Sequence, residues 1–162
     1  MSFQITPIRE SFIKQVREQG IDDLGQAVEY SLAQGGEPCR DVLRRAKPGE
    51  KLILASYCPF SQQGPYREYG PVFILAENTE EEIDYSELAV NHKNEQQYFV
   101  APFVLRGYDS KERIIDAAIT SLTEAKSQVE FLFNNPQVNF VLARFAAYGC
   151  YALRLDRRGL QP

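Results

Sequence analysis

The stretch GGEPCRDVLRRAKPGEKLILASYCPFSQQGPYREYGPVFILA, residues 35–76, constrains the fold more than any other part of this chain. Two apolar runs within it, 52–55 and 72–76, have the length of strands, and Pro59, Gly64, Pro65 and Gly70 punctuate the chain between them. Short apolar runs bounded by such breakers read as strands. We expect 72–76 to pair antiparallel with 51–57. The same stretch holds two of the three cysteines, four arginines, three tyrosines and five of the nine prolines. A Pro/Gly/Tyr-rich loop on a rigid scaffold is where binding and catalytic groups concentrate.

The rest of the chain supplies elements around this pair. Residues 3–5 read as a short strand. Thr6 and Pro7 then suit the N-cap and first position of a helix, since proline lacks an N–H that would be unbonded there anyway. Ile8, Phe12 and Val16 make one face of that helix, and Gly20 should end it. Between residues 26 and 33, Val28, Tyr30 and Leu32 alternate with Ala27, Glu29 and Ser31, which predicts a half-buried strand. Residues 41–46 are too short a segment to assign. The apolar run 98–105 contains Pro102, which cannot donate to a ladder and so points to an edge or a bulge. Ser121-Leu122-Thr123-Glu124 matches a capping box and divides the next region into a strand at 114–119 and a helix at 122–133. Two strands follow, 138–145 and 150–155, joined by an Ala-Ala-Tyr-Gly turn. The expected fold is a single α+β domain with a largely antiparallel sheet of about seven strands and two helices.

A length of 162 residues suits one domain with a proper core. No long uncharged apolar run is present, so no membrane span is expected, and MSFQITPIRESF has the features of no signal peptide. Three cysteines, an odd and small number, fit reduced thiols in a cytoplasm better than a disulfide framework. A net charge of −4 argues against a nucleic-acid partner, which calls for a strongly basic face. The acidic run 77–87 and the polar segment after it read as a solvated connection.

Most catalytic chemistries lack their residues here. The single histidine, His92, lies in a polar loop, and no Cys-x-x-Cys pair exists, so neither a metal nor a cofactor is expected. Cys39 beside Arg40, Arg44 and Arg45 is a weak candidate nucleophile, since guanidinium charge favours the thiolate. A small buried packing residue is the better reading of it, and of Cys58 and Cys150. The arginines carry more. Arg144 shares the parity of Val138, Phe140 and Leu142 and so projects from the apolar face, where it must be paired or bind an anion. Arg106, Arg40 and Arg67 are further candidates, with Asp109, Glu68 or Asp41 as internal partners if they are simply paired. Tyr57, Tyr66 and Tyr108 lie in or beside the turns that frame these arginines and could wall a pocket.

The ordered set EPCR, AKPGEKLILASYCPF, PYREYGPVFILA, RGYD and YGCYALR resembles the domain of unknown function 1203 family, from about Pro38 to Arg154. The resemblance implies a compact single-domain bacterial protein without an established activity. The matching positions include Pro38, Cys39, Arg40, Tyr57, Tyr66, Arg106, Tyr108, Asp109, Arg144 and Cys150. Leu75 stands where the family pattern carries a histidine, Val42 or Leu43 where a second cysteine is common, and Phe145 where asparagine often follows the strand arginine. The expected function is the binding of a small anionic ligand on Arg40, Arg106 and Arg144, with Tyr57, Tyr66 and Tyr108 as walls. The alternatives are a thiol-dependent enzyme using Cys39, and an interaction protein that forms a homodimer through an exposed strand edge.

Overall fold

A computed structural model describes residues 3–85, 88, 97–100 and 102–159. His92 lies outside the described residues, as does most of the polar segment around it. The described residues form two helices and ten strands, the strands making two five-stranded sheets rather than one sheet of about seven. The first sheet joins β1 (Phe3–Thr6), β10 (Tyr151–Arg157), β9 (Phe140–Phe145), β7 (Phe103–Tyr108) and β8 (Ile114–Thr120), in that order. The second joins β2 (Glu29–Leu32), β5 (Lys51–Tyr57), β6 (Gly70–Leu75), β3 (Pro38–Cys39) and β4 (Arg44–Arg45). Every pairing is antiparallel except β3 with β6. The expected central pair is there: β5 and β6 run antiparallel from Leu52 opposite Leu75 to Tyr57 opposite Gly70.

Besides a small cluster of Ala33, Cys39, Val42, Ala46, Leu52 and Leu75 around the β3–β4 hairpin, two larger cores hold the layers. Alternating residues of β9 divide between them. Val141 and Ala143 face α2 (Leu122–Asn134), which buries Ala125, Val129, Leu132 and Phe133 against the first sheet. Phe140 and Leu142 face the other way and meet Ile53, Ala55, Tyr57, Val72 and Ile74 of the second sheet. The helix α1 (Glu10–Glu18) adds Phe12 and Val16 to that second core, together with Ile8 just before it. Arg144 has the parity of Phe140 and Leu142, as the alternation predicts, and is buried. No described helix is long and apolar enough to cross a membrane.

Several local expectations are corrected. Thr6 does not cap α1. It ends β1, paired with Arg154, and its hydroxyl donates to Asp156, while the helix begins at Glu10 without a side-chain cap. Sheet pairing outcompetes the cap, and Pro7 merely stops the ladder. Pro102 marks neither an edge nor a bulge: β7 begins one residue later and runs between β8 and β9 inside its sheet. Tyr30 and Leu32 are not half-buried but 65% and 66% exposed, because β2 is an edge strand that overhangs the core. Ser121 sits at the N-terminus of α2 as expected, yet its hydroxyl bonds to the Thr123 hydroxyl and not to a backbone N–H. Residues 41–46, unassignable by pattern, close the β3–β4 hairpin through Leu43 at positive φ. The acidic connection is only partly solvated: Glu81 binds Arg44, and Ile83 and Tyr85 pack against the core.

Candidate functional site

The site forms where the second sheet hands one arginine to the first. Cys39 of β3 pairs with Phe73 of β6, and the Arg40 N–H donates to the Phe73 carbonyl, which holds the backbone in the second sheet. The Arg40 side chain crosses to the first sheet. There a β-bulge between Tyr151 and Leu153 disturbs the β9–β10 ladder, and bulges leave ladder groups unpaired. The Tyr151 carbonyl accepts from Arg40 Nε (2.8 Å) and the Ala152 carbonyl from the Tyr98 hydroxyl (2.8 Å). Arg40 Nη1 donates back to the Pro38 carbonyl (2.6 Å), and the guanidinium lies 5.1 Å from the centre of the Phe145 ring.

Arg45, at the end of β4, reaches the same ring at 5.7 Å. Its three nitrogens donate to the carbonyls of Gln97, Gly36 and Tyr98. Burial holds the Arg45 guanidinium below its ordinary pKa, and the charge of Arg40 adds to the effect. Phe145 is itself set in an aromatic floor, 5.2 Å from Tyr98 and 5.4 Å from Phe99, with Phe99 stacked on Phe103 at 4.0 Å.

The charge balance separates Arg40 from the other arginines. Three are buried: Arg40, Arg44 and Arg144. Arg44 binds both Glu50 and Glu81, and Arg144 binds Glu68. Arg40 is 3% exposed and meets no carboxylate among the described residues; Arg45 meets none either. A guanidinium has five N–H donors. Backbone carbonyls take two from Arg40 and three from Arg45, which leaves three and two without a partner among the described residues. Both residues line an open groove of about 1000 Å³. Its walls are Leu54, Pro71 and Phe73 of the second sheet on one side, and Phe99, Phe103 and the 146–148 turn on the other.

That turn is held by two backbone bonds between Phe145 and the residues 149 and 150, Gly149 N–H to the Phe145 carbonyl and Phe145 N–H to the Cys150 carbonyl. Gly149 adopts φ +72°, which a side chain would strain. A smaller cavity of about 200 Å³ lies on the other side, sharing Pro71, Tyr148 and Cys150 with the groove. Tyr57, Glu68 and Arg144 line it.

A family model described as a protein of unknown function, DUF1203, matches residues 36–157. The chain belongs to this family. No curated protein and no solved structure gives a match. The family span takes in both arginines, the turn and all of the groove lining except Gln34 and Gly35; β1, α1 and β2 precede it.

Of the residues singled out from the sequence, the structure brings Arg40 to the groove and Tyr57 and Arg144 to the small cavity. Arg106 and Arg144 converge on one carboxylate oxygen, Glu68 Oε1, at 3.4 and 2.7 Å. This is the internal pairing that sequence reasoning weighed against ligand binding. Arg144 Nη1 also donates to the Gly149 carbonyl, and its Nε has no partner among the described residues. Tyr66 is exposed and lines neither cavity. Tyr108 is fully buried, stacked 5.0 Å from Phe140 and edge-on to Phe60, and its hydroxyl has no partner among the described residues. Arg67 is paired with the Gln62 carbonyl and Tyr69 near the surface.

Cys39 is buried, and its thiol pKa is pushed up to about 12, chiefly by burial and then by Asp41. Those two influences outweigh the lowering charges of Arg44 and Arg40 that made it a candidate. At neutral pH such a thiol is protonated, and the thiolate is the nucleophilic form.

Sequence reasoning missed Arg45 as a site residue, and Phe145 with its aromatic floor. Both were visible as residue types. What joins them is non-local, because Arg45 and Phe145 are a hundred positions apart. It also missed two buried carboxylates that serve as backbone clamps. Asp22 accepts from the N–H groups of Leu24, Gln26 and Ser56, and Glu112 from those of Ser61 and Gln62.

Proposed function

We propose that this protein binds a small anionic ligand whose charge is held by Arg40 and Arg45. The observation that carries the reading is Arg40 itself, a buried guanidinium without a carboxylate among the described residues, opening on a groove of about 1000 Å³. An uncompensated buried charge is costly, and an anion from solution removes that cost. The reading differs from the sequence expectation in its partners. Arg45 takes the place given to Arg106 and Arg144, which share Glu68.

The test is titration with inorganic phosphate and with acetate, followed by calorimetry or by NMR of the guanidinium groups. Two charge-assisted hydrogen bonds are worth about 4 kcal/mol together, so a bare head group should bind with a Kd on the order of millimolar. Arg45→Gln should weaken binding, and Arg40→Gln should weaken it at least about tenfold. Unchanged binding in both variants would remove the basis of the reading.

The thiol-enzyme alternative has less support, given the raised pKa of Cys39. A homodimer retains one specific observation: among the described residues β2 pairs on one side only, and its Tyr30 and Leu32 are exposed. Sedimentation at high concentration, with Leu32→Lys as control, decides it; a monomer throughout would dismiss it. Three free thiols suit a reducing cytoplasm, and the family resemblance carries the expectation of a bacterial source.

A further inference from the structure

We infer that the ligand is an amphipathic acid: one anionic head on Arg40 and Arg45, and an extended apolar body lying along the groove. This rests on the anion reading and adds to it the half of the ligand that carries no charge. Size argues first. A groove of about 1000 Å³ is at the upper end of the range for drug-sized ligands, and a bare phosphate or acetate fills only a small part of it. Lining argues second. Away from the two guanidinium groups the walls are Leu54, Phe73, Phe99, Val100, Pro102 and Phe103, surfaces that reward burial of hydrocarbon.

The polar groups in the groove restrict the ligand to one head. Glu37 is there, but its two carboxylate oxygens accept from the N–H groups of Gln34 and Gly35, so it is engaged with its own turn. Arg144, the next buried cation, lines the smaller cavity and already holds Glu68. A second acid group on the ligand would therefore meet no further cation among the described lining residues. The ring of Phe145 lies beside both guanidinium groups, which leaves their N–H edges for the head. A carboxylate and a phosphate monoester both fit those edges, and the two are told apart by experiment.

The experiment is a chain-length series on the full protein: acetate, butanoate, hexanoate and octanoate, at a pH where all are ionised and below any micelle concentration. Octanol serves as the uncharged control, and hexyl phosphate beside hexanoate identifies the preferred head. A fully buried CH₂ is worth about fourfold in affinity, so an open groove predicts roughly two- to fourfold per added CH₂. Octanol should bind at least about tenfold more weakly than octanoate. Val100→Ser, at a residue already 66% exposed, should weaken octanoate by a larger factor than acetate. Equal affinity for acetate and octanoate would overturn the inference and leave the anion reading standing. Failure of every acid and of phosphate would overturn both. Octanol binding as well as octanoate would show that the head does not matter, and would also count against both.

Discussion

A buried polar group is informative in proportion to what it lacks. Among the described residues Arg40 meets no carboxylate and the Tyr108 hydroxyl no hydrogen-bond partner, and the two gaps have opposite meanings. Arg40 opens on a groove, so a ligand can reach its remaining donors. Tyr108 is enclosed by Phe60 and Phe140 and lines neither cavity, so its hydroxyl is a cost with no use for binding. Removing an unsatisfied buried hydroxyl regains part of a desolvation penalty of about 1–3 kcal/mol. Tyr108→Phe should leave stability unchanged or raise it by up to about 1 kcal/mol in urea denaturation, and should not alter anion binding. Weakened binding in that variant would restore Tyr108 to the role that sequence reasoning gave it.

The element on which the site depends is the short β3–β4 hairpin, because it carries both Arg40 and Arg45. Two residues of pairing on each strand cannot hold it alone. Arg44 fastens it, with Nε and Nη2 on Glu81 and Nη1 and Nη2 on Glu50. Replacing Arg44 by Met strands both carboxylates. The cost should be about 3 kcal/mol, at the low end for a buried pair because each carboxylate reaches water. The pH dependence has a definite sign. Hydrogen bonding to Arg44 holds the Glu50 carboxyl below its ordinary value. That stabilisation is therefore complete above the unfolded carboxyl pKa of about 4.3 and is lost as pH falls through the lower folded value. Wild-type urea midpoints should drop across that acid window, and the drop should be smaller in Arg44→Met. Parallel pH profiles would mean that the clamp contributes nothing.

Legibility followed the same division between local and non-local features. The β5–β6 pair, α2 and its buried face, and the inward projection of Arg144 could be read from periodicity, because each is set by residues within a few positions. The β3–β4 hairpin could not, since two-residue strands have no period. Nor could the exposure of Tyr30 and Leu32, because alternation reports a two-faced strand and not whether anything covers either face. At the site, Arg40 was legible as a candidate through its neighbours. Its missing carboxylate was not, because that depends on where Glu50, Glu68 and Glu81 go.

At the scale of the whole molecule, the second core joins the two sheets: Phe140, Leu142 and Tyr151 from one, Ile53, Val72 and Ile74 from the other, with α1 added. Sharing a core should make the sheets unfold together. Far-UV circular dichroism and tyrosine fluorescence should then give one coincident urea transition. Two separated transitions would mean that each sheet folds as a unit. The groove lies between elements of both sheets, so its geometry depends on this joint folding.

The most direct test of the account is calorimetric titration of octanoate into the wild-type protein and into Arg40→Gln, with circular dichroism to verify that both are folded. The wild type should bind saturably and one-to-one, and the variant at least about tenfold more weakly, the loss of roughly one charge-assisted hydrogen bond. Equal affinity in the two folded proteins would contradict it.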